Sequence, residues 1–150
     1  MAMTTNGEVQ LAAPQQTVWE KLNDAATLKA CIPGCEELDK TSDTEFQAVA
    51  TVKIGPVKAR FKGKVTLSDI DPPNGYKISG QGDGGVAGFA KGGATVKLSP
   101  KDGGTLLVYD VDAQIGGKLA QLGQRLVNGA AKKVSDDFFE NFAAAVNPKT

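Results

Sequence analysis

At 150 residues the chain has the length of one compact domain with a single core, so residues 1–150 are expected to form one unit. Its 17 basic and 17 acidic residues balance, removing the basic excess that nucleic-acid binding normally needs. No apolar run approaches a bilayer span, and Met1-Ala2-Met3-Thr4-Thr5 lacks the patterns of a secretory signal and of myristoylation, so the expected location is the cytoplasm.

Gly7, Val9 and Leu11 alternate with Glu8 and Gln10, the mark of a half-buried first strand. Pro14 suits the first turn of a short helix carrying Val18, Trp19 and Leu22. A second short helix through Leu28 should stop before Pro33-Gly34. About six strands are expected next. Phe46, Ala48, Ala50, Val52 and Ile54 form one inner face, and Val57, Ala59, Phe61, Gly63, Val65 and Leu67 another, separated by a Gly55-Pro56 turn. Tyr76, Ile78, Gly80 and Gly82, then Ala94, Val96 and Leu98, then Leu107, Tyr109, Val111 and Ala113 continue the pattern. Pro100-Lys101-Asp102-Gly103-Gly104 reads as a hairpin loop. From about residue 118 to 146 the period becomes helical, with Leu119, Leu122, Leu126, Ala130, Val134, Phe138 and Phe142 on one stripe. Such a helix would be roughly 40 Å long. The expected class is α+β: a curved antiparallel sheet wrapped around a long C-terminal helix, with two short helices after the first strand.

The inner face is unusual in being small: Ala48, Ala50, Ala59, Gly63, Gly80, Gly82, Ala94 and Ala113. A helix at ordinary spacing would leave gaps there, and a dry void of ~300 Å³ would cost about 7 kcal/mol. That rivals the stability of a typical domain, ~5–15 kcal/mol. Either the space is hydrated or occupied, or the helix approaches closely; the pattern leaves both open. Residues 82–93 lack the Gly-Lys-Ser/Thr ending of a phosphate loop and read as a glycine-rich hairpin with Val86 and Phe89 at its tip, either gating a pocket mouth or merely interrupting a strand.

Enzymatic chemistry finds little support. The chain has no His, no Gly-x-Ser-x-Gly elbow and no dinucleotide fingerprint after a strand. Cys31 and Cys35 miss the redox spacing and lack partners for a zinc site, so no metal site is expected. Asp110 with Asp112, and Asp69 with Asp71, belong on a wet face or at a turn. Tyr109 is the one inward hydroxyl suited to steering a carbonyl or quinone oxygen. Lys53, Lys58, Arg60, Lys62 and Lys64 put positive charge along one strand face, either solvated or used for docking.

Pro14 with Val18-Trp19, then Leu22-Asn23-Asp24 and Leu28-Lys29-Ala30-Cys31-Ile32-Pro33-Gly34-Cys35, resemble the opening of the carbon monoxide dehydrogenase G-subunit family. Residues 52–57 (Val-Lys-Ile-Gly-Pro-Val) and Phe61-Lys62-Gly63 are similar to its next strand pair. The resemblance implies the helix-grip fold of START-related lipid-binding domains, with an apolar cavity between sheet and helix. It also implies a non-enzymatic accessory of an aerobic molybdenum hydroxylase of the carbon monoxide dehydrogenase type, without a tightly bound cofactor. Such an accessory would carry a quinone or lipid, or recruit its partner to the inner membrane face. Some longer members bear a C-terminal extension; here the sequence ends at Asn147-Pro148-Lys149-Thr150, so carriage or transient membrane contact is expected over stable anchoring. The expected ligand-binding residues are Ala59, Phe61, Val65, Ile78, Gly80, Val96, Tyr109, Leu122 and Leu126, with Phe89 at the mouth. Lys58, Arg60 and Lys62 are the expected docking residues. A docking factor with an incidental cavity is the alternative, and a small cyclase or hydrolase a third.

Overall fold

A computed structural model describes residues 2–147. The chain forms β1 (Ala2–Leu11), α1 (Gln15–Leu22), α2 (Ala25–Cys31), β2 (Cys35–Ser42), β3 (Glu45–Ile54), β4 (Val57–Asp71), β5 (Gly75–Asp83), β6 (Phe89–Lys101), β7 (Gly104–Gly116) and α3 (Gln124–Val146). The seven strands make one antiparallel sheet in the order β1-β7-β6-β5-β4-β3-β2, so the first strand closes against the last. Tight turns set this register. Asp102 and Gly103, at φ 51° and 80°, form the two-residue loop between β6 and β7, where paired positive φ values match the twist of the strands.

The small residues and the polar ones fall on opposite faces as the alternation requires, and two departures from the sequence pattern matter. Strand β2 (CEELDKTS) is almost uniformly polar and shows no period-two apolar signal; it exists because it pairs with β3 at the sheet edge. Helix α3 begins at Gln124 rather than near residue 118. Gly117–Leu122 is a 3-10 segment, and Gly123, at φ 94°, ends it before the helix starts. The helix is therefore 23 residues, about 34 Å, and Leu119 and Leu122 leave its stripe.

Helix α3 runs alongside β1 in the same direction. Gln124 Nε2 donates to the Ala2 carbonyl (3.0 Å) at one end, and Asn147 Oδ1 accepts from the Ala12 amide (2.9 Å) at the other. Ten extended residues span about 33 Å, so strand and helix match in length. Asn141 Nδ2 donates to the Cys31 carbonyl (3.0 Å), tying α3 to α2. Residues 148–150, which include most of the sequence's final segment, lie outside the described residues. Among the described residues, no helix is long and apolar enough to cross a membrane.

Packing divides into two clusters. The larger joins Leu11, Val18, Trp19, Tyr76, Leu107 and Phe142 under α1, α2 and the end of α3. The smaller gathers Ala59, Ala87 and Leu119, with Ile54, Val57, Phe61, Ile115 and Leu122 against them, at the opposite end. The Cys-Ile-Pro-Gly-Cys segment is a structural joint. Gly34 sits at φ 74°, its carbonyl accepts from the Thr51 amide (2.9 Å), and a Cβ there would overlap the Thr51 carbonyl oxygen. Cys31 is buried, Cys35 is half-buried, and both are free thiols pushed upward in pKa by burial.

Candidate functional site

Between the two clusters the register aligns small residues across the sheet. One row runs Ala48, Gly63, Gly82, Ala90 from β3 to β6; the next runs Val65, Gly80, Gly92, Ala113 from β4 to β7. Side chains opposite one another in an antiparallel pair share a face, so these rows make a trough. It forms an open apolar groove of about 340 Å³, walled by Phe61, Val65, Ile78 and Val111. No helix residue lines it: α3 meets the sheet through Phe139, stacked on Tyr109 at 4.5 Å, and through the Phe138–Phe142 pair beside it.

Magnitude decides what this space is. As a dry enclosed void, 340 Å³ would cost about 8 kcal/mol. Being open, it is reached by solvent instead of standing as a dry void. Water there is readily displaced by an apolar guest. Gln81, Lys91 and Asp112 contribute to the walls, but strand alternation directs their side chains to the other face, where all three are exposed. The groove thus offers shape and apolarity without a side chain poised for proton transfer. Among the described residues no group of His, Cys, Asp or Glu could hold a metal ion. Larger hollows of about 670 and 750 Å³ lie on the outer face, but exposed Lys64, Gln81 and Lys91 wall them, so their linings are far more polar than the groove's.

Of the ten expected ligand-binding residues, the structure brings four together in the groove: Phe61, Val65, Ile78 and Gly80. Ala59 and Leu122 lie in the smaller cluster at its end. Val96 is buried in the main core, paired with Tyr76 and Tyr109. Tyr109 is inward but does not aim its hydroxyl into the groove. Its ring crosses β1 at Gly7, where an added Cβ would lie 2.6 Å from the hydroxyl oxygen. Leu126, in the first turn of α3, is 44% exposed beside the β3–β4 turn and lies outside the groove.

Phe89 is not at the groove's mouth. Strand β6 begins at this residue, which pairs with Asp83 and Gly116, and alternation sends its ring to the outer face, directly over Gly116. The hairpin around it is a tight 3-10 turn at Gly85–Ala87 rather than an open loop. The Gly84 amide donates to the Gly88 carbonyl (2.8 Å), and Asp83 Oδ1 accepts from Gly85 (2.8 Å). Ala90, Gly92 and Val111 are groove residues absent from the expected set. Extending the strand alternation back from Ala94 would have found the first two.

The expected docking residues Lys58, Arg60 and Lys62 are exposed on the outer face of β4. Arg60 Nε donates to Glu36 Oε2 at 2.8 Å, and this partner holds the Glu36 carboxyl below its usual range. An extra residue in β2 places Glu36 there, a β-bulge between Cys35 and Glu37. Lys64 is likewise paired with Glu45 (3.1 Å). The basic stripe is therefore partly neutralised within the sheet; Lys58 and Lys62 form no salt bridge among the described residues, although Lys58 also lies within Coulombic reach of Glu36.

This architecture has solved counterparts. A conserved protein from Geobacillus kaustophilus is similar over 96% of this chain and 95% of its own, at 31% identity and TM-score 0.88. The Zhui aromatase/cyclase from Streptomyces is 15% identical, with TM-score 0.71 and coverage of 97% of this chain and 94% of that one. The di-domain aromatase/cyclase BexL is 12% identical, with TM-score 0.69; this chain, covered over 99%, spans 51% of it. At those identities the two cyclases share the fold alone. No curated protein matches the chain. The model of one family matches residues 7–147, nearly the whole sequence, and with it the sheet, the gripped helix and the small-residue trough find a common setting: the chain belongs to the carbon monoxide dehydrogenase G-subunit (CoxG) family, on the helix-grip fold.

Proposed function

We propose that this protein is a non-enzymatic accessory of an aerobic molybdenum hydroxylase of the carbon monoxide dehydrogenase type, and that it carries a hydrophobic small molecule, a quinone or a lipid, in the groove. Family membership supports the association with such an enzyme. The observation that carries the ligand reading is the trough itself: adjacent cross-strand rows of Gly and Ala, open and apolar, without an ionisable side chain directed into it. Apolar burial at ~25 cal/mol per Å² drives binding, and the absence of directional polar groups suits a ligand selected by shape. Extraction and native mass spectrometry of purified protein should reveal a co-purifying isoprenoid or lipid, and a short-chain quinone should bind on titration. No bound molecule in repeated preparations, with no quinone binding, overturns this reading.

A docking role is favoured by one specific observation, the exposed Lys58 and Lys62 on the outer face, neither held in a salt bridge among the described residues. If docking is the main function, reversing both charges abolishes capture of the hydroxylase, while filling the groove changes nothing.

A further inference from the structure

The outer face of the sheet is polar throughout its middle, yet Phe89 stands on it 47% exposed. Its ring is seated rather than loose. It lies over Gly116 on the neighbouring strand, where any Cβ would strike it. Beside it the face dips into the hollow of about 750 Å³, which runs from Glu37 and Val49 on one flank to Phe89 on the other. The hollow is therefore centred between β4 and β5. A knob at one flank of a hollow is half of a self-complementary surface, because a two-fold axis turns each knob onto the other copy's hollow.

Register fixes what such an axis brings together. Residues level with one another across the sheet form rows on its outer face. One row reads Glu37, Val49, Lys62, Asp83, Phe89 and Gly116 from β2 to β7. The next reads Asp39, Gln47, Lys64, Gln81, Lys91 and Gln114. An axis along the strands, between β4 and β5, lays β4 on the second copy's β5 and β3 on its β6. Phe89 then meets the Val49 flank of the hollow, and Lys62 meets Asp83. Within one sheet Lys62 and Asp83 are neighbours that form no salt bridge with each other, so the axis completes an alternating square of four charges. Lys91 meets Gln47, which stands between the carboxylates of Asp39 and Glu45 on the same face. Thr66 meets Ser79. Moving the axis by one strand spoils the match: it sets Phe89 on Asp83 in one direction and Glu37 on Asp83 in the other.

We propose that this face pairs two copies of the chain about that axis. With 17 basic and 17 acidic residues, the copies carry no net charge to repel one another. Face-to-face sheets keep their strands within about 30° of each other, as an axis along the strands requires. Six strands at ~4.8 Å spacing and four rows at ~7 Å cover on the order of 500 Å² per copy. Doubled, that only reaches the roughly 1,000 Å² at which specific interfaces begin, so the pair is weak and concentration-dependent. The apolar groove lies on the opposite face of the sheet, and pairing leaves it open in both copies. The pairing rests on the outer face alone and not on the carrier reading.

Sedimentation velocity of the full chain should show the mass rising from one chain toward two as the concentration is raised to about 1 mM. Phe89→Asp should weaken the pair about a hundred-fold, about tenfold at each of two symmetry-related contacts. Lys62→Asp should also weaken it. Adding Asp83→Lys should restore it, because the square of charges is rebuilt with its signs exchanged; circular dichroism checks folding, since Asp83 also accepts from the Gly85 amide. Lys29→Glu, on α2 behind the sheet, should change nothing. A single chain at every concentration, growth beyond two copies, or pairing untouched by Phe89→Asp and Lys62→Asp overturns the proposal. Failure of rescue in a folded double variant also overturns it. A chain that stays single while this face captures the hydroxylase assigns the face to docking instead.

Discussion

Replacing Ala94 by Leu tests the groove directly, because an open groove and a filled centre give opposite signs. Ala94 is half-buried, pairs with Ile78 and Val111, and lines the trough with both. Leu adds three carbons, about 2.4 kcal/mol at ~0.8 kcal/mol per CH₂ if fully buried. The groove is open and ordering Leu costs ~0.5–1 kcal/mol, so the net gain should be under about 1 kcal/mol. In a packed centre the same change overfills the site and costs about 1–3 kcal/mol. Urea unfolding reads the difference as a shift of midpoint at unchanged slope. The ligand should respond more strongly. An occupant displaced from three carbons' worth of contact loses about 2.4 kcal/mol, roughly fifty-fold in affinity for a short-chain quinone. A clear loss of stability would show that α3 fills the trough in solution. Unchanged quinone affinity in a folded variant would place the ligand elsewhere.

Phe61→Trp should weaken quinone binding several-fold while the protein stays folded, because Phe61 already lies against Gly82 and Gly84 and a larger ring must turn into the groove; unchanged affinity removes Phe61 from the site. Gly34→Ala should destabilise by about 2 kcal/mol or more in urea unfolding, combining a left-handed backbone with overlap at Thr51; a neutral result would contradict the proposed joint. Stability should fall in alkali. Burial raises the pKa of Cys31, Cys35 and Tyr76, so above the ordinary thiol value of 9.0 the unfolded chain binds fewer protons than the native one. Their contribution is complete below that pH and is lost as pH rises through the folded values. Cys31→Ser should shallow the decline, as followed by thermal unfolding from pH 7 to 10.5, the range in which about three such groups begin to titrate.

The α+β class, the order of most elements and the smallness of the inner face were legible in the sequence, since each is a local property. Alternation along β4 or β7 assigns a face to every residue without reference to another strand. The same reasoning fails where locality ends. Strand β2 has no apolar alternation and becomes a strand through its pairing with β3. The start of α3 turned on Gly123, whose positive φ breaks a stripe that composition alone carries unbroken through Leu119 and Leu122.

Composition and periodicity determined that Gly and Ala would face the helix; only the tertiary structure decided that they form a groove. The trough exists because cross-strand register aligns Gly63 with Gly82, and Gly80 with Gly92, while no side chain of α3 enters it. Register is a relation between strands distant in the chain, and a shift by one residue would turn the same small side chains to the opposite face. Phe89 is the opposite case: alternation counted back from Ala94 along β6 already sends its ring to the outer face, as the structure has it.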